Sequence, residues 1–176
     1  MNELDWINWW CCTWRWAHPD WRSGLLAAHG LDGDHDAALA SSRHAALMSA
    51  LGVTPCQPPP LDANVALWLS LTVEQREQAL LLARSICAAS VANQPTVPER
   101  HGHWCRSLAK ALRPGLWLDH SNVDPRVLLA SWLGAPFWSR LRLAWAPGEQ
   151  LEPLVDLPRH KLDTLWRAVL WRVDTP

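Results

Sequence analysis

Apolar residues recur at a helical period in the last segment of the chain. After Pro158 they stand at positions i, i+3, i+4, i+7, i+8 and i+11, namely Leu162, Leu165, Trp166, Val169, Leu170 and Val173. This pattern predicts an amphipathic C-terminal helix. Two interpretations of its apolar stripe are open: it closes the core of the domain, or it docks on a partner helix. We favour the first, because most stripes of this width face a core.

The N-terminal part of the chain predicts three helices. The tryptophans of residues 6–16 fall within a sector of about 160° at 100° per residue, which indicates an amphipathic helix. A second helix is predicted over residues 20–29. A third is predicted from the N-cap residue Asp34 to Leu51, with Gly52 at the position that follows the helix.

A proline-rich stretch, residues 52–62 (GVTPCQPPPLD), separates these helices from the rest. Four prolines exclude a continuous helix, so we predict an extended connector. Residues 1–51 are close to the size below which an independent core is hard to build. We therefore predict that they pack on the main part, residues 63–176, within a single helical domain over residues 1–176.

Three further helices are predicted from their end signals. Thr72 and Gln75 form a capping box that opens a helix running to about residue 91. Prolines at both ends bracket a helix over residues 99–112. Ser121 and Asp124 resemble a second capping box, for a helix that Gly134 can stop.

The segment PFWSRLRLAWAPG, residues 136–148, fits two periods. Trp138, Leu141 and Trp145 share one face of a helix. The apolar residues of the same segment also alternate with Arg140 and Arg142 as in a short strand, namely Leu141, Leu143 and Trp145. We favour the helix, and the whole chain is then predicted to be all-α.

Composition excludes several functional classes. The chain has 176 residues, a formal net charge of -1, 14 Trp and five Cys. The balanced charge argues against a strongly basic nucleic-acid binder. Glu3 and Asp5 stand where a secretory signal carries basic residues, and no apolar run is long enough to span a membrane. The cysteines form no CxxC pair, which is typical of reduced thiols, so we expect a cytoplasmic protein.

The strongest metal candidate is HGHWC, residues 101–105. His101 and Cys105 stand four residues apart and would share one helix face, whereas His103 would point away. Two more ligands, from His120, Cys87 or the Cys11/Cys12 pair, would have to come from other segments. No spacing in the sequence indicates these further ligands, and no catalytic motif is present. We therefore expect no metal, no cofactor and no enzymatic activity.

Partner-binding residues are predicted in the ambiguous segment. Trp138 and Trp145 could be buried as anchors while Arg140 and Arg142 lie at a solvated edge, and Trp and Arg are the residue types enriched at binding hot spots. The outer face of the C-terminal helix, at Arg167 and Arg172, is the second candidate surface.

Two stretches carry a family resemblance. ALWLSLTVEQREQALLLARSICA, residues 66–88, and LLASWLGAPFWSRLRLAWAPG, residues 128–148, followed by an amphipathic helix, resemble the type III secretion K proteins (SctK, YscK and HrpD-like). The resemblance implies a cytoplasmic, non-catalytic helical adaptor peripheral to the inner-membrane apparatus. Its implied partners are the SctD-like ring protein and the SctQ-like pod protein of the sorting platform. It implies no nucleic-acid binding and no membrane insertion.

Two other functions remain open from the sequence. One is a small zinc-binding domain or enzyme that uses His101 and Cys105. The other is an interaction module similar to a secretion chaperone, although such chaperones tend to be more acidic.

Overall fold

The computed structural model describes residues 1–28, 42–88, 97–118, 123–148 and 151–174. Within these ranges the chain forms helices and no strand, so the predicted all-α fold is confirmed. No helix in the same ranges is both long enough and apolar enough to cross a membrane. The described α-helices are α1 (Glu3–Cys11), α2 (Pro19–Ala28), α3 (His44–Ala50), α4 (Ala63–Ser70), α5 (Val73–Cys87), α6 (Glu99–Leu112), α7 (Pro125–Leu133), α8 (Ala135–Leu141) and α9 (Arg159–Asp174).

Contacts along the backbone group the chain into two compact units. Unit one comprises Met1–Ala66 and Pro136–Gln150, and unit two comprises Leu67–Ala135 and Leu151–Pro176. The chain passes from one unit to the other within α4 and again within α8. The organisation of residues 1–176 as a single domain stays a prediction.

Helix α1 ends earlier than the helix predicted over residues 6–16. Asn2 caps it, because the Asn2 side chain accepts a hydrogen bond from the Asp5 amide at 2.8 Å and the Asp5 carboxylate accepts one in return. After α1 the chain tightens into the 3₁₀ segment Thr13–Trp16. As a result Trp16 is 51% exposed. The other tryptophans of the predicted sector are buried: Trp6, Trp9, Trp10 and Trp14.

Helix α2 begins one residue before its predicted start, and its predicted end at His29 lies outside the described residues. Helix α3 is shorter than the helix predicted from Asp34 to Leu51, because the described residue Arg43 forms a turn and is the N-cap of a helix that begins at His44. The predicted N-cap Asp34 lies outside the described residues. Gly52 follows α3 with a φ of +69°, the left-handed conformation that glycine adopts most readily. Residues 52–62 form no helix, which confirms the connector.

The predicted start of α5 and both predicted bounds of α6 are confirmed. The Thr72 hydroxyl accepts a hydrogen bond from the Gln75 amide at 3.2 Å, and the Gln75 side chain accepts one from the Thr72 amide at 2.9 Å. Helix α5 therefore begins at the predicted capping box. It ends at Cys87, earlier than the predicted end near residue 91, because Ala88 leaves the helical conformation as its C-cap.

The start of α7 differs in detail from the prediction. Asp124 is itself the N-cap, and its carboxylate accepts a hydrogen bond from the Arg126 amide at 2.8 Å. Ser121 lies outside the described residues. Gly134 ends α7, as predicted, with a φ of 85°. The ambiguous segment that follows is helical, as α8 and the 3₁₀ segment Arg142–Ala144.

Tryptophan side chains form the interior of unit one around α1. The ring centroids of Trp6 and Trp9 lie 5.3 Å apart in a stacked arrangement, and Trp10 meets Phe137 edge-on at 5.5 Å. The indole Nε1 atoms of Trp6 and Trp10 donate hydrogen bonds to the carbonyls of Pro59 and Cys56, at 2.8 and 3.0 Å. These bonds fasten the connector to α1.

The interior of unit two is built on α9. All six residues of its apolar stripe are buried, so the stripe belongs to the core of the chain rather than to an open docking face. Trp166 stacks on Trp132 and meets Trp68 edge-on, each at a centroid distance of 6.1 Å. The indole of Trp132 donates a hydrogen bond to the Asp163 carboxylate at 2.7 Å.

Candidate functional site

Of the four residues predicted to bind a partner, Trp138 and Arg140 lie in α8, Arg142 lies in the 3₁₀ segment, and Trp145 directly follows that segment. Trp138 is buried, and its ring centroid lies 5.7 Å from that of Trp145, which is half-buried. The Trp145 carbonyl accepts a hydrogen bond from the indole of Trp21 at 2.8 Å. This segment is thereby joined to α2 inside unit one.

Arg140 is buried, and the prediction that it lies at a solvated edge is wrong. Its side chain is 3% exposed. Nε donates to the Trp10 carbonyl at 3.0 Å, Nη1 to the Pro136 carbonyl at 3.0 Å, and Nη2 to the Thr54 carbonyl at 3.3 Å. The guanidinium carbon lies 3.6 Å from the centroid of the Trp10 ring. The planar guanidinium has five N–H donors, so it can donate hydrogen bonds to carbonyls of three segments at once. These hydrogen bonds offset the cost of burying the positive charge.

Arg142 is half-buried and also points to backbone. Its Nη2 donates to the Leu51 carbonyl, and its guanidinium carbon lies 5.6 Å from the centroid of the Trp21 ring. Burial lowers the pKa of both Arg140 and Arg142 from the ordinary arginine value, because water no longer solvates their charge fully. Arg140 therefore joins α1 and the connector to α8. Arg142 joins the end of α3 and the Trp21 ring of α2 to the 3₁₀ segment. Partner binding by Trp138, Arg140, Arg142 and Trp145 stays a prediction.

His101 and Cys105 share a buried face of α6, as their spacing predicted. Their side chains are 4% and 2% exposed, whereas His103 is exposed. Arg172 Nε donates to His101 Nδ1 at 3.1 Å, Arg100 Nε lies 3.1 Å from Nε2, and the Gln78 amide lies 2.8 Å from Nε2. A neutral imidazole has one nitrogen lone pair, and these donors compete for it.

The thiols near this face are poor metal ligands. Burial raises the pKa of Cys105, and it raises the pKa of Cys87 to about 12. Zinc binds the thiolate, so a raised thiol pKa weakens a site. In the described part of the chain no group of three or more His, Cys, Asp or Glu side chains is placed to hold a metal ion. The remaining candidate ligand, His120, lies outside that part.

Lowering the pH is expected to destabilise the fold through His101. Burial, together with the positive charges of Arg100 and Arg172, lowers the His101 pKa. The unfolded chain therefore binds this proton at a higher pH than the folded chain. The stabilisation is complete above the unfolded pKa of about 6.5 and is lost as the pH falls through the lowered folded value.

Urea unfolding of the wild type and of His101→Gln, at about pH 7.5 and about pH 5, measures this contribution. The wild type should lose more stability between the two pH values than the variant. The other seven histidines are common to both proteins. An equal loss in both would show that His101 does not couple protonation to folding.

A groove of about 290 Å³ opens beside α5 and the start of α7 in unit two. Its polar lining includes Asp124 and Arg126, which form an ion pair at 2.6 Å. Burial alone would raise the Asp124 pKa, but hydrogen bonds from Arg126 and the charges of Arg126 and Arg84 outweigh it and lower that pKa. Because Asp124 also caps α7, the start of this helix explains why the pair is present.

Sequence reasoning missed a grouping of thiols in unit one. Cys56 Sγ lies 3.7 Å from Arg140 Nη2, and Cys11 lines the same small cavity. These residues come from the connector, α8 and α1, so no spacing in the sequence links them. A cysteine inside the proline-rich connector was the one available signal.

The described contacts define an all-α chain with two compact units and a buried arginine at the centre of the first. Comparison of the chain with known protein families, with curated proteins and with solved structures found no match.

Proposed function

We propose that this chain is a non-catalytic adaptor of a bacterial type III secretion system. In this role it links the SctD-like ring protein of the inner membrane to the SctQ-like pod protein of the sorting platform, in the cytoplasm and without a cofactor. The resemblance of residues 66–88 and 128–148 to the K proteins motivates the proposal. The described helices support it, since α5, α7 and α8 occupy those two stretches.

The polar groups of the interior also support a binding role over a catalytic one. His101, Asp124 and Arg140 are each engaged by neighbouring groups of the chain. A catalytic group has to be available to a bound substrate, whereas each of these three groups has a structural partner within the chain.

The observation that carries the proposal is a tryptophan on the outer face of α9. Trp171 is 61% exposed, although the opposite face of the same helix is buried. Arg167, one turn earlier, is also exposed. Trp and Arg are the residue types most enriched at interface hot spots, and a regular helix presents them on a rigid surface. We therefore assign the partner surface to Arg167 and Trp171. The second candidate surface of the sequence was Arg167 and Arg172 on the same helix, but Arg172 is half-buried and donates to His101.

Replacing Trp171 by alanine is expected to weaken binding of the full chain to the pod protein by roughly tenfold or more. The reason is that truncating a hot-spot tryptophan costs about 2 kcal/mol or more. Isothermal titration calorimetry with the purified pod protein and with the cytoplasmic part of the ring protein, both from the same organism, measures the affinities. Binding of the wild-type chain to neither protein would contradict the proposed function.

Leu116→Ala is the matched control. Leu116 is a 78% exposed apolar residue of the same unit, on the 3₁₀ segment Pro114–Leu116. This variant should bind like the wild type, and thermal unfolding should show that both variants fold. If Trp171→Ala binds as tightly as Leu116→Ala, the surface on α9 is wrong even where the wild type binds the pod protein.

A further inference from the structure

The cysteines differ sharply in accessibility. All five lie in the described ranges: Cys56 is exposed, Cys11, Cys12 and Cys87 are half-buried, and Cys105 is buried. An oxidant dissolved in water reaches an exposed sulfur first. Cys56 is therefore the thiol of this chain that small oxidants can approach most readily.

A fixed positive charge lies against the Cys56 sulfur. Arg140 Nη2 is 3.7 Å from Sγ, and the same guanidinium is held by the carbonyls of Trp10, Thr54 and Pro136. These three acceptors are neutral oxygens, so they do not cancel the charge of Arg140. The guanidinium is therefore placed to stabilise negative charge that develops on the Cys56 sulfur during nucleophilic attack.

A second thiol borders the same space. Cys11 and Cys56 both line a cavity of about 40 Å³, with Arg140, His44 and Met48. One water needs about 10–15 Å³ of such space, so the cavity has room for a molecule as small as hydrogen peroxide. The C-terminal end of α1 is already fastened here, because Trp10 Nε1 donates to the Cys56 carbonyl at 3.0 Å.

We propose that Cys56 is an oxidation site for hydrogen peroxide and that Cys11 is the thiol that resolves the oxidised sulfur. The cavity, the contact with Arg140 and the exposure of Cys56 carry this assignment. It does not depend on the adaptor function.

The chemistry has two balanced steps. The Cys56 thiolate attacks one oxygen of hydrogen peroxide, the O–O bond breaks, and the hydroxide that leaves takes a proton from solvent to become water. Cys56 is now a sulfenic acid. The Cys11 sulfur then attacks the Cys56 sulfur, the S–O bond breaks, and the Cys11 proton leaves with the hydroxyl group as a second water. The product is a disulfide that joins α1 to the connector.

Burial supports the division of roles between the two thiols. Burial raises the pKa of Cys11, which keeps it protonated until a sulfenic acid forms beside it. Burial likewise raises the pKa of Cys87 and Cys105, so both should stay reduced. They serve as internal controls within the same molecule.

Peroxide treatment of the reduced full-length chain tests the proposal by mass spectrometry. The wild type should lose two hydrogen atoms, and tryptic digestion should link the peptide that contains Cys11 to the peptide that contains Cys56. Cys11→Ser should instead accumulate sulfenic acid at Cys56, trapped by dimedone several-fold above the wild-type level. Cys56→Ser should give neither product.

Cys12→Ser is the matched control, because Cys12 neighbours Cys11 in the same tryptic peptide. This variant should form the cross-link at the wild-type rate. Loss of the cross-link in Cys12→Ser but not in Cys11→Ser would overturn the assignment of Cys11. Oxidation of any other cysteine before Cys56, or an unmodified Cys56 where free cysteine is oxidised, would overturn the site itself.

Discussion

Replacing Arg140 by alanine is expected to destabilise the protein by about 3–5 kcal/mol. The change removes a charge-assisted donor from the carbonyls of Trp10, Thr54 and Pro136, of which the hydrogen bond to Trp10 is fully buried, and it removes a guanidinium stacked on the Trp10 ring. Loss of a buried hydrogen-bond donor costs about 1–3 kcal/mol, and the space left beside the Trp10 ring adds to this cost. The sum is a large part of the stability of a typical domain, about 5–15 kcal/mol. Urea unfolding followed by circular dichroism measures the loss.

Two further variants separate the possible roles of Arg140. Arg140→Met keeps much of the volume but none of the donors, so it should be nearly as destabilising as alanine. A tolerated methionine would show that the side chain acts by filling space. Arg22→Ala is the matched control on an exposed arginine of the same unit, and it should change stability by no more than about 0.5 kcal/mol.

Replacing Trp166 by alanine is expected to destabilise unit two by about 3–5 kcal/mol. Trp166 is fully buried between the rings of Trp68 and Trp132, so its removal leaves a cavity at the centre of the unit. The surrounding helices can close such a cavity only in part. Thermal unfolding should show a markedly lower Tm, and an unchanged Tm would mean that Trp166 does not anchor this core.

A pair of phenylalanine variants refines this prediction. The indole Nε1 of Trp166 is buried without an acceptor among the described residues, whereas that of Trp132 donates to Asp163. Trp166→Phe removes an unsatisfied donor, while Trp132→Phe leaves the Asp163 carboxylate without its partner. Trp166→Phe should therefore be the less destabilising of the two. The reverse order would show that lost volume outweighs hydrogen bonding at these positions.

The capped helix starts and the C-terminal stripe could be predicted from the sequence because their causes are local. The capping box of Thr72 and Gln75 uses groups three residues apart, and the stripe of α9 repeats every three or four residues. The buried face shared by His101 and Cys105 follows from the same spacing. Even the ambiguous segment at α8 was assigned correctly from its helical period.

The candidate site could not be predicted in the same way. The alternation of Arg140 and Arg142 with apolar residues is compatible with arginines at a solvated edge or with arginines in a buried hydrogen-bond network. The reason is that the type of side chain does not specify where its hydrogen-bond acceptors will lie in the fold. The partners of Arg140 are carbonyls, which every residue carries. No sequence pattern therefore distinguishes Trp10 or Thr54 as its acceptors.

What the sequence determined by itself was the all-α class of the fold, the capped start of α5 and the apolar face of α9. The last two depend on groups within about one helical turn of each other. The tertiary structure decided the burial of Arg140 and the placement of the Cys56 thiol. Arg140 reaches acceptors 130 and 86 residues away along the chain, and Cys56 lies 84 residues from it. Contacts at such separations exist only after the connector has packed on α1, and no local periodicity encodes them.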